Sequence, residues 1–284
     1  MSENPISFDE LCNKPNKIVN DFAQKSMPAK ASYGIIKTFI LAVAAGAFIA
    51  FGAQGSLTAM TGLETFGFGF AKLLGGIVFS TGLMLIVFTG SELFTGNALI
   101  GLSVLKKTVP VSKLIRNWIL VYFGNFVGAI IVAFLIANTN TFPGGYDATG
   151  SLGLKVAIGK TNLTFNQAFC SGILCNWLVC MAVWMACAAK DVVGKIFAIL
   201  FPIATFAMSG YEHCVANMYM ITNGLFIKYG ENEAILSLFD TNQLAGLNLK
   251  SFLIDNLIPV TLGNIAGALI FVVGIFWIAY MRKK

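Results

Sequence analysis

The order of apolar and polar positions along the chain predicts a protein that lies in a membrane. Long apolar runs lie at 35–58, 68–107, 114–138, 165–189, 195–229 and 252–281. A helix needs about 20 residues to cross the hydrocarbon core of a bilayer, so these runs predict six transmembrane helices. Polar residues stand in the middle of 68–107 and 195–229, which predicts that the second and fifth helices are broken.

The two interrupted runs share a pattern. Residues 90–97 read GSELFTGN and residues 210–217 read GYEHCVAN, so both contain GxExxxxN. The runs that follow also match, as FGNFVGAIIV at 123–132 and LGNIAGALIF at 262–271. Two ordered matches separated by three helices indicate an internal repeat. Because three is odd, the copies enter the membrane from opposite sides, which predicts an inverted 3+3 repeat with its functional site near the midplane.

Charge then sets the expected topology. Only 11% of the 284 residues are charged and mean hydropathy is +0.78, whereas soluble domains carry about 25% charged residues. Most lysines and arginines lie in the N-terminal segment, in two connections and at the C-terminus. The positive-inside rule therefore predicts that both termini are cytoplasmic. We expect a cytoplasmic segment at 1–34, a channel domain at 35–281 and a cytoplasmic tail at 282–284.

The N-terminal segment permits two interpretations. Ile18, Val19 and Phe22 stand at helical spacing, which favours an amphipathic helix, while the mixed charges around them also suit a solvated tail. The net charge of +6 bears on topology, and we expect no nucleic-acid partner. The six cysteines lack metal-ligand spacing. We therefore expect no metal, no cofactor and no catalytic residues.

Glu92 and Glu212 are candidates for a shared scaffold. A carboxylate at membrane depth is costly unless it is partnered or functional. We expect each to accept hydrogen bonds from backbone N–H groups freed by the helix break, with Asn97 and Asn217 assisting at the half-helix ends. The alternative is that one of the two carboxylates binds a cation or relays a proton.

Positions that differ between the two copies are candidates for function. His213 is the only histidine in the chain and stands where the first copy has Leu93. An imidazole exchanges protons near neutral pH, and Thr95 from the other copy could supply a hydroxyl partner. Helix N-termini favour anions, and the basic residues expected near the outer face are Lys155 and Lys160. These residues indicate a pore or carrier for a small, anionic solute.

At five stretches (90–97, 117–129, 175–185, 209–221 and 255–268) the sequence resembles the formate/nitrite transporter family, most closely the formate channels. The resemblance implies an all-α polytopic, aquaporin-like protomer of six helices in a homopentamer. It also implies a channel for formate and related small monovalent anions of weak acids in the bacterial inner membrane. Nitrite and hydrosulfide remain alternative substrates, and a facilitator of neutral solutes is the less favoured alternative.

The resemblance also implies roles for individual residues. His213 matches the central histidine and Thr95 the threonine that faces it. The expected outer constriction is Phe79 and Phe206, and the expected cytoplasmic constriction is Leu83, Leu93, Phe94 and Ala216. Asn176 matches an asparagine near the outer vestibule, and Lys160 a vestibular lysine, with Lys155 as its competitor. In this interpretation Lys160 concentrates the anion, and His213 donates a proton or a strong hydrogen bond in a dry pore.

Overall fold

Residues 11–139, 146–230 and 232–282 are described by the structure, a computed structural model. The helices of the first half are α1 (Pro15–Asp21), α2 (Met27–Ser32), α3 (Ile35–Met60), α4 (Phe68–Thr89), α5 (Phe94–Asn97), α6 (Ile100–Leu105) and α7 (Val111–Ala137). Those of the second half are α8 (Tyr146–Thr161), α9 (Phe165–Ala188), α10 (Val192–Met208), α11 (Cys214–Tyr229), α12 (Glu233–Leu236), α13 (Thr241–Gly246), α14 (Ile258–Ala268) and α15 (Ile275–Tyr280). A π-helical turn, Phe22–Ser26, joins α1 to α2. Two more such turns make Ser251–Tyr280 one continuous helix that includes α14 and α15.

Five helices are long and apolar enough to cross a membrane: Ile35–Met60, Phe68–Thr89, Val111–Ala137, Phe165–Ala188 and Ser251–Tyr280. Each overlaps one of the predicted apolar runs. Their outward faces carry large apolar side chains such as Phe123 and Phe134, as expected of helices that contact lipid. The predicted run 195–229 instead forms α10 and α11. Each of these is shorter than the about 20 residues that a crossing needs.

The GNxxGA sequences pack two pairs of helices closely. Helix α7 lies against α3, and α14 lies against α9. A Cβ atom at Gly128 would lie 2.0 Å from the carbonyl oxygen of Val43, and one at Gly267 would lie 2.3 Å from that of Ile173. Only glycine permits such an approach of backbone to backbone. The repeated sequence thus has a packing role in both halves.

The N-terminal segment lies against the helix bundle. The side chains of Ile18, Val19 and Phe22 are buried, and the ring of Phe22 packs edge-on against Trp184. Asn13 donates hydrogen bonds to the carbonyl groups at the end of α9. The amphipathic-helix interpretation of this segment is therefore confirmed.

Helix α8 was not predicted, because 139–164 was expected to be a connection. Its glycines and lysines interrupt the apolar pattern, so no long apolar run marks it. Leu154 and Ala157 are nevertheless fully buried, and α8 packs against α11. Gly224 of α11 allows this contact, since a Cβ there would lie 2.2 Å from the Cβ of Ala157.

Candidate functional site

Two non-helical connections, 90–93 and 209–213, share one backbone geometry. Gly90 (φ 69°) and Gly210 (φ 73°) adopt the left-handed conformation, which glycine adopts without steric strain. In each connection the backbone then passes through one extended residue, Leu93 or His213, into the next helix. The glycine of the GxExxxxN pattern is therefore required where α4 and α10 end.

Two buried asparagines hold these connections. Asn125 Oδ1 accepts a hydrogen bond from the N–H of Phe94 at 2.9 Å, and Asn264 Oδ1 accepts one from the N–H of Cys214 at 2.9 Å. Each side-chain amide also donates to the carbonyl of the nearby glutamate, Glu92 or Glu212, at 2.9 Å. Sequence analysis did not assign this role. The available signal was an asparagine inside an apolar helix at the same place in both GNxxGA sequences.

The two carboxylates bind side chains, which corrects the expectation that they accept backbone N–H groups. Glu92 is fully buried, and its Oε1 lies 2.5 Å from Lys30 Nζ while Oε2 accepts from Asn97 Nδ2 at 2.7 Å. The N–H groups of Phe94 and Cys214 are instead bound by the asparagines of α7 and α14. Lys30 was assigned only to the basic N-terminal segment, and its ion pair with Glu92 was missed.

The second half repeats this arrangement with Glu212. Its Oε1 lies 2.8 Å from Lys160 Nζ, and its Oε2 accepts from Asn217 Nδ2 at 2.6 Å. In both halves a further asparagine supports the lysine, since Asn117 Nδ2 donates to the Lys30 carbonyl and Asn256 Nδ2 to the Lys160 carbonyl. The Lys160 side chain is only 14% exposed. Its charge is therefore balanced by Glu212, which was not expected of a vestibular lysine.

His213 and Thr95 are brought together as the sequence predicted. His213 Nε2 lies 2.9 Å from Thr95 Oγ1, and both residues are buried. The other ring nitrogen, Nδ1, accepts a hydrogen bond from the N–H of Ala216 at 3.0 Å, so the imidazole caps the N-terminus of α11. Because a backbone N–H can only donate, the proton of the neutral ring lies on Nε2 and points to Thr95.

Asn176 supports Thr95 from α9. Its Nδ2 donates to the carbonyl of Thr95 at 3.3 Å and to that of Asn264 at 2.7 Å. Its side chain is buried, with 1% exposure. The carbonyl of Thr95 needs this donor because the N–H of Leu99 bonds to Gly96 instead.

One cavity, here called the histidine cavity, has a volume of about 240 Å³. His213, Phe79, Phe206 and Lys160 line it, as does Ala216. The rings of Phe79 and Phe206 meet edge to face with centroids 5.4 Å apart, so the two predicted constriction residues are in contact. Ala216 was expected beside the leucines. It lies here instead because it follows His213 within the first turn of α11 and faces the same space.

A second cavity, here called the leucine cavity, has a volume of about 170 Å³. Leu83 and Leu93 line it together with Lys30, and Phe22 and Met27 of the N-terminal segment cover it. Phe94 was expected beside these leucines, but its ring packs edge-on against Trp118 and Tyr122. Its position at the start of α5 directs the ring toward α7 and away from the cavity.

Comparisons with known proteins agree with this architecture. Residues 17–278 match the family model described as formate/nitrite transporter. Formate channel FocA of Escherichia coli (strain K12) is 39% identical over 267 residues, which are 92% of this chain and 93% of that protein. FocA of Haemophilus influenzae is 38% identical over 258 residues, which are 90% of each chain.

Solved structures give the same result. One described as "Pentameric formate channel with formate bound" has a TM-score of 0.79 and 39% sequence identity, covering 87% of this chain and 98% of that chain. Another, described as "FNT family ion channel", has a TM-score of 0.73 and 28% identity, covering 93% and 98%. With its long apolar helices, this is a multi-pass membrane protein. The chain belongs to the formate/nitrite transporter family.

Proposed function

We propose that this chain is a passive or proton-linked channel for formate and related small monovalent anions of weak acids. The relatives named formate channels support the choice of formate. The observation that carries the proposal is the buried hydrogen bond between His213 and Thr95. His213 lines the histidine cavity, and Thr95 lies two residues after Leu93, which lines the leucine cavity. The hydrogen bond therefore connects the two cavities.

The proposed channel crosses the membrane six times as an inverted 3+3 repeat with broken second and fifth helices. Two sets of equivalent contacts support this arrangement. Asn125 and Asn264 each accept from a backbone N–H in their own half, and Glu92 and Glu212 each accept from an asparagine in theirs. We place residues 1–34 and 282–284 in the cytoplasm and residues 35–281 in a bacterial inner membrane. Similarity to a solved formate channel that is pentameric supports assembly as a homopentamer.

In this orientation the pore begins outside at the histidine cavity. The anion passes the contact of Phe79 and Phe206, reaches His213 and Thr95, and leaves past Leu83 and Leu93. The N-terminal segment lies over this exit. A bare anion that crosses such apolar rings loses its hydration at a cost of several kcal/mol. The pore therefore needs a group that lowers the charge of the solute or donates to it.

His213 is the proposed donor. With Nδ1 occupied by the N–H of Ala216, the ring presents its Nε2–H toward Thr95 and the pore. A second ring proton on Nδ1 would break that cap and would face the positive end of the α11 dipole. We therefore favour a neutral imidazole that donates its Nε2–H to the anion in place of Thr95 Oγ1. The proton that converts the anion into its neutral acid comes from water, and the hydroxide ion formed stays in the solution.

One residue that lines the histidine cavity, Asn217, carries an unpaired acceptor. Within the described residues, Asn217 Oδ1 is buried and has no hydrogen-bond partner. A carbonyl oxygen can accept from the hydroxyl of a neutral acid and not from a bare anion. This atom is suited to bind the solute after it has taken up a proton.

The test uses reconstituted protein and three variants. We expect the His213→Ala variant to lose most formate transport in proteoliposomes, measured as initial uptake at two pH values. The His213→Asn variant retains an N-cap but has no atom that reaches Thr95, so we expect it to fold normally and transport equally poorly. The Thr95→Ser variant keeps the hydroxyl and should transport formate at a rate close to that of the unmodified protein.

Other solutes separate the alternatives. Formate uptake that exceeds nitrite and hydrosulfide uptake supports formate as the substrate. If nitrite or hydrosulfide is taken up faster than formate, that anion is the substrate instead. Chloride is the control, because it cannot be neutralised by a proton. Swelling with glycerol equal to that with formate would indicate a facilitator of neutral solutes. If His213→Ala transported formate with unchanged rate and pH dependence, the role of the imidazole would be wrong.

A further inference from the structure

A second lysine lines the histidine cavity, and this inference about it depends on the proposed anion channel. Lys72 lies near the N-terminus of α4 and borders the same space as Lys160 and His213. We infer that Lys72 attracts the anion and positions it at the entrance of the histidine cavity, in front of Phe79 and Phe206.

The charge of Lys160 is balanced, whereas among the described side chains no carboxylate balances that of Lys72. Lys160 Nζ bonds Glu212 at 2.8 Å, so this pair has no net charge toward a solute. Among the described side chains, no carboxylate lies within 4.0 Å of Lys72 Nζ, which stands 5.6 Å from the centre of the Phe68 ring. The Phe68 ring is 78% exposed, so it leaves the ammonium group able to contact a solute. Among the described residues that line this cavity, Lys72 is thus the unbalanced positive charge.

The geometry of α4 directs this charge into the proposed pore. Lys72, Gly76 and Phe79 are spaced by four and three residues, which places them on one face of the helix, and all three line the histidine cavity. A separation of seven residues corresponds to about 10 Å along the helix axis. An anion that contacts Lys72 is therefore two turns away from the edge-to-face contact of Phe79 and Phe206.

The first half carries this charge and the second half does not. When the two copies are aligned on Glu92 and Glu212, Lys72 corresponds to Val192. Val192 is 60% exposed and is not among the residues that line the leucine cavity. Lys72 is therefore not part of the shared scaffold. Its presence in one copy is consistent with a role at one entrance.

The size of the effect follows from Coulomb's law. The two charges are that of Lys72 and that of an anion about 10 Å away, at the contact of Phe79 and Phe206. An effective dielectric constant between 80 and 20 then gives a roughly two- to fifteen-fold change in the anion concentration at that contact. Such an effect raises the half-saturating concentration when the charge is removed. It leaves the maximal rate unchanged, because the narrow pore itself is not altered.

The experiment measures initial formate uptake into proteoliposomes over a range of formate concentrations, at low and at high sodium sulfate. We expect Lys72→Met to raise the half-saturating concentration roughly two- to fifteen-fold at low salt, with a maximal rate within twofold. Lys72→Arg retains the charge and should stay within twofold of the unmodified protein. High salt should reduce the difference, because screening weakens the attraction. Lys250→Met is the matched control, since Lys250 is 75% exposed and is not among the residues that line the histidine cavity.

The outcomes separate this inference from the proposed function. If the unmodified protein transports formate and Lys72→Met has an unchanged half-saturating concentration, the inference is wrong and the channel proposal stands. A lower maximal rate that Lys72→Arg does not restore would also overturn it, since that pattern indicates a packing role. Lys72→Gln provides a second neutral variant if Lys72→Met does not fold. If the unmodified protein transports no weak-acid anion, the proposed function fails and this inference fails with it.

Discussion

The buried ion pair between Lys30 and Glu92 leads to a quantitative prediction. Lys30→Met would leave the Glu92 carboxylate fully buried, with Asn97 Nδ2 as its remaining hydrogen-bond donor. Removal of one partner from a buried pair costs about 3–5 kcal/mol. The Lys30 side chain is 24% exposed, so solvent already weakens the pair, and we expect a loss of roughly 2–4 kcal/mol in the free energy of unfolding.

The assay is chemical unfolding of the purified protein in detergent micelles. It compares Lys30→Met, Glu92→Gln and the double variant with the unmodified protein. We expect the double variant to lose less stability than the sum of the two single losses, because it contains no unpaired buried charge. Lys25→Met is the control, since Lys25 pairs with Asp21 at the surface (77% and 37% exposed) and such pairs contribute less than about 1 kcal/mol.

Two results would refute this reasoning. The first is a loss for Lys30→Met no larger than that for Lys25→Met, which would mean that the Glu92 charge is stable without its partner. The second is strict additivity in the double variant, which would mean that the two charges are not coupled. Lys160→Met tests the same logic on Glu212 and should reproduce the result, because the contacts are equivalent.

Two further substitutions test the backbone contacts of the repeated sequence. Gly267→Ala should lower the thermal unfolding temperature, with a loss of about 1–3 kcal/mol from overpacking, because a Cβ there would lie 2.3 Å from a carbonyl oxygen of α9. Gly69→Ala is its control, since nothing lies within 4 Å of that position. Asn264→Leu should cost about 2–4 kcal/mol in chemical unfolding, because it leaves the buried Cys214 N–H without its acceptor. Asn138→Leu, at an exposed helix end, should change stability by less than about 0.5 kcal/mol.

The positions of the connections and the pairing of the two main candidate residues, His213 and Thr95, could be predicted from local sequence. A glycine before a glutamate inside an apolar run marks both places where the helix ends. The contrast between His213 and Leu93 at matched positions identified the histidine, and Thr95 lies at hydrogen-bond distance from it. These predictions succeeded because they depend on residues within one short motif.

The partners of the glutamates could not be predicted in this way. Lys30 and Glu92 are separated by 62 residues, and Lys160 and Glu212 by 52, so only the packed fold brings them together. In the sequence, a lysine in a basic segment indicates only that the segment is cytoplasmic, and it does not show which carboxylate the lysine binds. The roles of Asn125 and Asn264 were missed for the same reason, although their repetition within apolar helices was visible.

Assignments carried over by resemblance were least accurate where side-chain direction decides the role. The sequence located the helix starts that contain Phe94 and Ala216 correctly, yet neither side chain faces the leucine cavity. The first residues of a helix point in different directions within a single turn. A motif match therefore locates the backbone of such residues but not the space that their side chains enter.

The comparison of Leu93 with His213 explains why one copy of a shared scaffold carries the functional group. Both residues are extended and precede a helix, and the backbone around them is held by Asn125 and Asn264 whichever side chain is present. His213 uses Nδ1 to cap its own helix, which fixes the ring and leaves Nε2 directed at Thr95. A shorter capping residue could perform the first task but could not reach the second group. The two nitrogens of the imidazole, at opposite sides of a rigid ring, thus allow one residue to stabilise a helix N-terminus and to present a donor to the proposed pore.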